Sequence, residues 1–332
     1  MIRFALLGAG RIGRMHARNL ATHGRAELAG IYDVDSAASA EAARATGSRA
    51  YDSVDALLGD GSIEAVLIAT STDTHCELIE RSARAGKAVL CEKPIHLDIR
   101  RVDECAEVVE STGARVQIGF NRRFDPSHAA LGQAAASGEI GSLELAVITS
   151  RDPAPPPLDY VRVSGGLFRD MMIHDFDIAR FLFAQEPVEV SAMGGVLVEP
   201  AIGELGDVDS AVVTMRMSSG AMCQINCSRR CAYGYDQRIE MFGEKGMLIS
   251  ANPAMTNLQR YSSTATGAGE RLHHFFIDRY AESYLREIDA FIDAIEGGFA
   301  PSPSFEDGRR ALMLADAAVE SAAGGRTIRI QP

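Results

Sequence analysis

The sequence predicts an α/β chain: a doubly wound parallel sheet first, then an α+β domain built on a large, mainly antiparallel sheet. Three observations carry that prediction. Short apolar runs alternate with helix-like segments over residues 2–120. A glycine motif follows the first run directly. Beyond Asn121 the alternation stops, and apolar strands are joined by turns instead of helices.

In the first part IRFALL, ELAGIYD, EAVLIAT, KAVLCE and RVQIGF read as strands buried on both faces, being apolar runs of strand length. IGRMHARNLATHG, DSAASAEAARATG, THCELIERSARAG and DIRRVDECAEVVESTG read as the intervening helices, each closed by glycine. A weak strand at 49–51 and a short helix at 54–58 fill the remaining slot. In the second part 124–137 reads as a helix and 143–150 as a strand, and the prolines of RDPAPPPLDYV predict a loop. VEVSAMGGVLV, DSAVVTMRMSSGAMCQINCSRR and YDQRIEMFGEKGMLIS read as strands, with hairpin turns at SSG and GEKG. Residues 280–296 and 305–323 read as closing helices. The expected domains are 1–122, which binds the cofactor, and 123–332, which binds substrate and mediates oligomerisation. The last helix is placed to pack back on the first domain.

Composition excludes several functions. A length of 332 residues suits two domains, and 46% apolar with 23% charged residues is ordinary for a globular protein. A net charge of −12 argues against a nucleic-acid groove, which needs a basic stripe. No apolar run is long enough to span a bilayer, and MIRFALLGAG shows neither a charged leader nor a cleavage site. A cytoplasmic protein is expected. Four of the six cysteines are widely spaced, as reduced single thiols would be. The run CQINCSRRC reads as a strand with its thiols on one side, so no metal site is expected.

The chemistry begins at GAGRIG. Gly8, Gly10 and Gly13 form a G-x-G-x-x-G loop between strand and helix, the Rossmann arrangement for a dinucleotide. The first glycine makes the turn, the second admits the pyrophosphate and the third lets helix and strand approach. Arg11 and Ile12 open the helix inside this motif. Asp33 ends the second strand, 23 residues beyond Gly10, where a carboxylate binds ribose hydroxyls and repels a 2′-phosphate. NAD is therefore expected over NADP. Asp35 is the nearest competitor for that role, although a helix cap suits it better. After the fourth strand, Thr70 and Ser71 are placed to contact cofactor, and His75 either faces the ribose or simply begins a helix. The fifth strand ends CEKP, which puts Glu92 and the amine of Lys93 at the cofactor crevice.

RDMMIHDFDIARFL poses the sharper question. On one helix Asp170, His174 and Asp177 would share a face, while Met171, Ile178, Phe181 and Leu182 could pack elsewhere. A solvated polar face and a functional face are equally compatible with that spacing.

GAGRIG, EKP, GFNRRFD and GGLFRDMMIHDFD together resemble the family of glucose–fructose oxidoreductase and inositol dehydrogenase, and the likeness covers nearly the whole chain, including SRDPAPPPLDYVRVSGG, YGYDQR and PSPSFEDGRRAL. Within that family it is the inositol branch that these longer phrases resemble. The resemblance implies an NAD-dependent oxidation of a polyol hydroxyl, with Lys93, Asp170 and His174 as the catalytic set. In that scheme His174 is the general base, Lys93 stabilises the reacting oxygen and Asp170 orients substrate or Lys93. Asp177 either orients His174 or lies on the helix surface. Asn121, Arg122, Asp152 and Tyr235 are implied substrate contacts, Asn121 also being a cofactor candidate; Tyr233 competes with Tyr235, while salt bridges are expected for Arg123 and Arg229. The resemblance further implies a homotetramer formed through second-domain sheets. A non-catalytic NAD-binding sensor would be expected to lack Lys93, Asp170 or His174, and all three are present.

Overall fold

The first sheet is built from β1 (Ile2–Leu7), β2 (Ala26–Tyr32), β3 (Arg49–Ala50), β4 (Ala65–Ile68), β5 (Ala88–Cys91) and β6 (Val116–Ile118). In the computed structural model, which describes residues 1–330, all pairs are parallel and the order is β3-β2-β1-β4-β5-β6. Order reverses between β1 and β4, the switch point at which such sheets bind ligands. The core is Phe4, Leu6, Leu67 and Leu90, completed by Ile288, Phe291 and Ile292 from the helix Ala281–Gly297. Burying each of these side chains is worth about 1.5–3 kcal/mol.

The second sheet comprises β7 (Leu143–Arg151), β8 (Pro187–Gly195), β9 (Ser210–Met217), β10 (Met222–Ser228), β11 (Asp236–Gly243), β12 (Gly246–Ser250) and β13 (Ile328–Arg329). Its order is β12-β11-β7-β10-β9-β8-β13, antiparallel except where β7 and β10 run parallel. The expected α/β architecture is thus observed, as are both hairpin turns. One face buries Ile148, Val213, Ile225 and Met241 against Phe176, Ile178 and Leu182 of the helix Ile173–Phe183. On the other face Met247, Phe242, Leu145 and Met222 are register partners in turn across four strands, and all are exposed.

The chain groups into two compact units, Met1–Phe124 with Glu282–Leu312, and Asp125–Ala281 with the chain from Met313. Among the described residues no helix is long and apolar enough to cross a membrane.

Local expectations need four corrections. The proline segment is irregular only to Pro157, after which Leu158–Ser164 is helical; proline is compatible with a helix start, where its missing N–H is no loss. Two of the first-part helices stop short of their glycines, at Thr22 and Arg84. Residues Pro200–Glu204 form an unpredicted helix. Last, Asp170 and His174 do not share one helix. Gly166–Asp170 ends at Asp170, and a new helix starts at Ile173. Met172 N–H donates to the carbonyl of Leu167, five residues back, at 3.0 Å. That wider turn interrupts the α-helical ladder between the two polar groups. Met171, Ile178 and Leu182 are buried as expected. On β10, Cys223 and Cys227 lie on the buried side, while Cys231 falls beyond the strand.

Beneath the first sheet Glu287 is 0% exposed. Burial first, and then the charge of Glu92, hold its carboxyl well above the ordinary glutamate range. Between the ordinary and the raised value, the folded chain holds a proton that the unfolded chain has lost, so this group's contribution falls as pH rises. Glu287→Gln removes the titration. The variant's urea-unfolding free energy, relative to wild type, should improve steadily as pH rises above the ordinary glutamate range. A pH-independent difference would contradict the assignment.

Candidate functional site

The parallel register aligns Tyr32, Leu7, Ile68, Cys91 and Ile118 in one row across the first sheet. Whatever follows each strand therefore emerges at one carboxyl edge: Asp33, Gly8, Thr70, Glu92 with Lys93, and Asn121. Most of the predicted cofactor set is gathered there by strand pairing alone.

The glycine loop passes a direct test of fit to a dinucleotide. Gly8 has φ +100°, and a Cβ there would collide with the Ala69 carbonyl. At Gly13 a Cβ would collide with the Gly8 carbonyl. Gly10 differs, because nothing beyond its own chain neighbours lies within 4 Å of a Cβ built on it. The protein has no packing reason for glycine at that position, whereas a pyrophosphate approaching the backbone supplies one. No side chain caps the helix Arg11–Thr22, so the positive end of its dipole faces the glycine loop.

Asp33 grips this loop. Its Oδ2 accepts from Ala9 N–H at 2.5 Å and its Oδ1 from Asp35 N–H at 2.8 Å. Asp35 is the helix cap, accepting from Ala37 and Ala38. Thr70 Oγ1 bonds Thr74 Oγ1 at 2.7 Å, and Ser71 stands exposed beside it.

Of the two readings of His75, the structure shows the helix start: it begins the helix His75–Arg84 and is 1% exposed. Nδ1 lies 2.8 Å from the Pro94 carbonyl and Nε2 lies 3.2 Å from that of Thr70. Burial pushes the ring towards its neutral form, whose single N–H can serve one of these two carbonyls. His75 ties the segment after Lys93 to the loop after β4. Spacing gave no hint of His16, whose Nε2 is 2.7 Å from Glu92 Oε1 and fixes that side chain from below. At the end of β6, Asn121 and Arg122 are buried in a single turn. Asn121 Nδ2 is a buried donor with no hydrogen-bond partner among the described residues. Arg123 pairs with Asp307 at 3.0 Å, the salt bridge expected of it.

The second unit gathers its candidates in the same way. Arg151 pairs with Ser228 and with Asp236, so Asp152, Arg229 and Tyr235 share one sheet edge. Arg229 then reaches Asp170 Oδ2 at 3.5 Å, bringing that carboxylate to the edge. Tyr160 donates to Asp170 Oδ1 at 2.8 Å. Cys227 Sγ donates to the buried Asp175 at 3.2 Å. Asp170 is 9% and Asp177 1% exposed, which overturns the reading of this stretch as a solvated polar face and of Asp177 as a surface group. The two tyrosines have different environments. Tyr233 donates to Asp236 at 2.6 Å and accepts from Arg151, whereas Tyr235 is buried with its ring edge-on to Tyr280. His96 lies half-buried, accepting from Asp98 N–H through Nδ1. Among the described residues no group of three or more His, Cys, Asp or Glu could hold a metal ion.

Comparison with known proteins places this geometry in context. Residues 2–120 match the Gfo/Idh/MocA profile described as an oxidoreductase family with an NAD-binding Rossmann fold, and residues 128–249 match the GFO/IDH/MocA C-terminal domain. The chain is 50% identical to an inositol 2-dehydrogenase of Rhizobium meliloti, over 99% of both chains. It superposes on the crystal structure of a myo-inositol dehydrogenase from Corynebacterium glutamicum with TM-score 0.97 at 44% identity, covering 100% of this chain and 99% of that one. A scyllo-inositol dehydrogenase from Lactobacillus casei, crystallised with NAD(H) and scyllo-inositol, gives TM-score 0.92 at 30% identity over 99% of both chains.

Gly10 and Gly13 separate binding from folding. Gly10→Val should weaken NADH binding at least tenfold in a fluorescence titration, with the melting temperature unchanged, because the new side chain meets only ligand space. Gly13→Ala should instead lower the melting temperature, since its Cβ meets backbone. Unaltered NADH affinity in Gly10→Val would refute the loop's assignment.

Proposed function

The chain belongs to the Gfo/Idh/MocA oxidoreductase family and carries its NAD-binding Rossmann domain, and from that premise we propose that it oxidises myo-inositol to 2-keto-myo-inositol. The single observation that carries the substrate is the full-length identity of 50% to an inositol 2-dehydrogenase. Bound NAD supplies the hydride acceptor. Gly8, Gly10 and Gly13 cradle its pyrophosphate, Asp33 takes the ribose hydroxyls, and Thr70, Ser71, Glu92, Lys93 and Asn121 line its remaining length.

His174 removes the hydroxyl proton as general base, a task suited to a side chain whose ordinary pKa lies near neutrality. Lys93 donates to the same oxygen and stabilises the negative charge that develops on it. Asp170 orients substrate or Lys93 and balances local charge. Asn121, Arg122, Asp152 and Tyr235 hydrogen-bond the other hydroxyls, which a polyol must have satisfied as it leaves water. A second reading, scyllo-inositol as the preferred isomer, is favoured by the likeness to the scyllo-inositol dehydrogenase.

We further propose a homotetramer in which the exposed row of Met247, Phe242, Leu145 and Met222 is covered. Phe242→Glu should then shift sedimentation towards smaller species, and an unchanged profile would exclude this face.

The deciding assay follows NADH absorbance with purified protein, NAD and, in parallel, myo-inositol, scyllo-inositol, D-chiro-inositol and D-glucose. Turnover with myo-inositol should exceed the others, and His174→Ala should lose roughly 10²–10⁴-fold in rate. Silence on every polyol, with NADH still bound, would sink the substrate assignment.

A further inference from the structure

Tyr160 and Asp170 are ten residues apart yet joined by a 2.8 Å hydrogen bond. Local backbone geometry explains the return. The helix Leu158–Ser164 is followed by Gly165 at φ +86° and Gly166 at φ +83°, and this left-handed pair reverses the chain. Asp207 then fixes the start of the next short helix. Its Oδ1 accepts from Leu167 N–H at 3.0 Å, and a Cβ on Gly166 would lie 2.6 Å from the same atom. Asp170 ends that helix, directly beneath the returning tyrosine.

The other carboxylate oxygen is held from the sheet. Arg229 is 1% exposed and its Nη2 lies 3.5 Å from Asp170 Oδ2, long for a hydrogen bond but close for an ion pair away from water. The arginine is itself fixed, because its N–H donates to the Asp209 carbonyl at 2.8 Å. Asp209 in turn accepts from the N–H groups of Leu197, Val198 and Glu199, so this support is rigid. One oxygen of Asp170 therefore faces a neutral donor that is 43% exposed, and the other faces a fully buried cation.

We propose that Tyr160 and Arg229 are positioning residues that clamp Asp170 from both oxygens and set the carboxylate's orientation before a polyol arrives. This rests on the role given to Asp170 above. Arg229 keeps the carboxylate in place, and Tyr160 fixes its rotation.

The test uses Tyr160→Phe, Arg229→Lys and Arg229→Gln in the full-length protein. Tyr160→Phe should lower kcat/KM for myo-inositol about tenfold, while leaving KM for NAD and the melting temperature unchanged. Arg229→Lys, which keeps the cation, should retain at least tenfold more kcat/KM than Arg229→Gln. Wild-type kcat/KM in Tyr160→Phe, or equal activity in the two Arg229 variants, would overturn the clamp. Crystal structures of wild type and Tyr160→Phe give a readout that needs no turnover: Asp170 should rotate or split between two rotamers in the variant. An unmoved Asp170 there would also overturn it. If wild type oxidises no polyol, the assigned function has failed, and the Asp170 rotamer alone decides the clamp.

Discussion

Backbone-to-backbone approach at the glycine loop is the constraint on which the nucleotide end depends. Gly13 must lie against the Gly8 carbonyl, and Gly8 against that of Ala69, before the first helix can pack on β1 and β2. That packing aims the uncapped helix start at the switch point of the sheet. Asp33 then serves two ends at once. One of its oxygens holds Ala9 within the loop while the other closes its own turn. Close approach thus sets direction, and the carboxylate holds it.

A comparable logic supports the EKP segment. Strand register alone delivers Glu92 and Lys93 to the carboxyl edge, but it does not orient their side chains. His16, on the first helix, takes Glu92 from below, and His75, on another helix, takes the Pro94 carbonyl. Lys93 lies between two residues that are each tied to a buried imidazole. Such supporting bonds fix the backbone and side chains on either side of Lys93.

How far the sequence could be read follows from the range of each signal. Periodicity and run length are local, and they located the parallel strands, the hairpins and the helical character around His174, though not the bounds of the helix Ile173–Phe183. Gly8, Gly10, Gly13 and Asp33 were legible because their spacing encodes a mechanism. The break at Met171 and Met172 was not, since both are good helix formers and only burial of both side chains in the second core decides their conformation. Tyr160 was read as part of a proline loop, and its bond to Asp170 exists only because Gly165 and Gly166 reverse the chain. His75 had two readings, ribose contact or helix start, and spacing could not choose between them. Its position in sequence is at the crevice, but its ring turns inward to two backbone carbonyls. The pairings of His16 with Glu92 and of Arg229 with Asp170 span 76 and 59 residues, beyond any pattern in one sequence.

The acidic balance of the chain acquires a structural meaning in the second unit. Asp125, Asp170, Asp175, Asp177, Asp209 and Asp236 are all buried, where an unpaired carboxylate would be costly. Several are visibly compensated by different means: Asp125 by Arg279, Asp209 by three backbone N–H groups and Ser210, and Asp236 by Arg238, Tyr233 and Asn252. For Asp125, Asp209 and Asp236 these partners hold the carboxyl below its usual range against the opposing effect of burial. Asp236 and Asp209 stand at the same sheet edge as Arg229, and the backbone carbonyl of Asp209 accepts from the Arg229 N–H, so the segment behind Asp170 is tied to that edge. The edge is rigid because its buried charges are satisfied, and that rigidity is what allows a single carboxylate at its end to be set in one orientation.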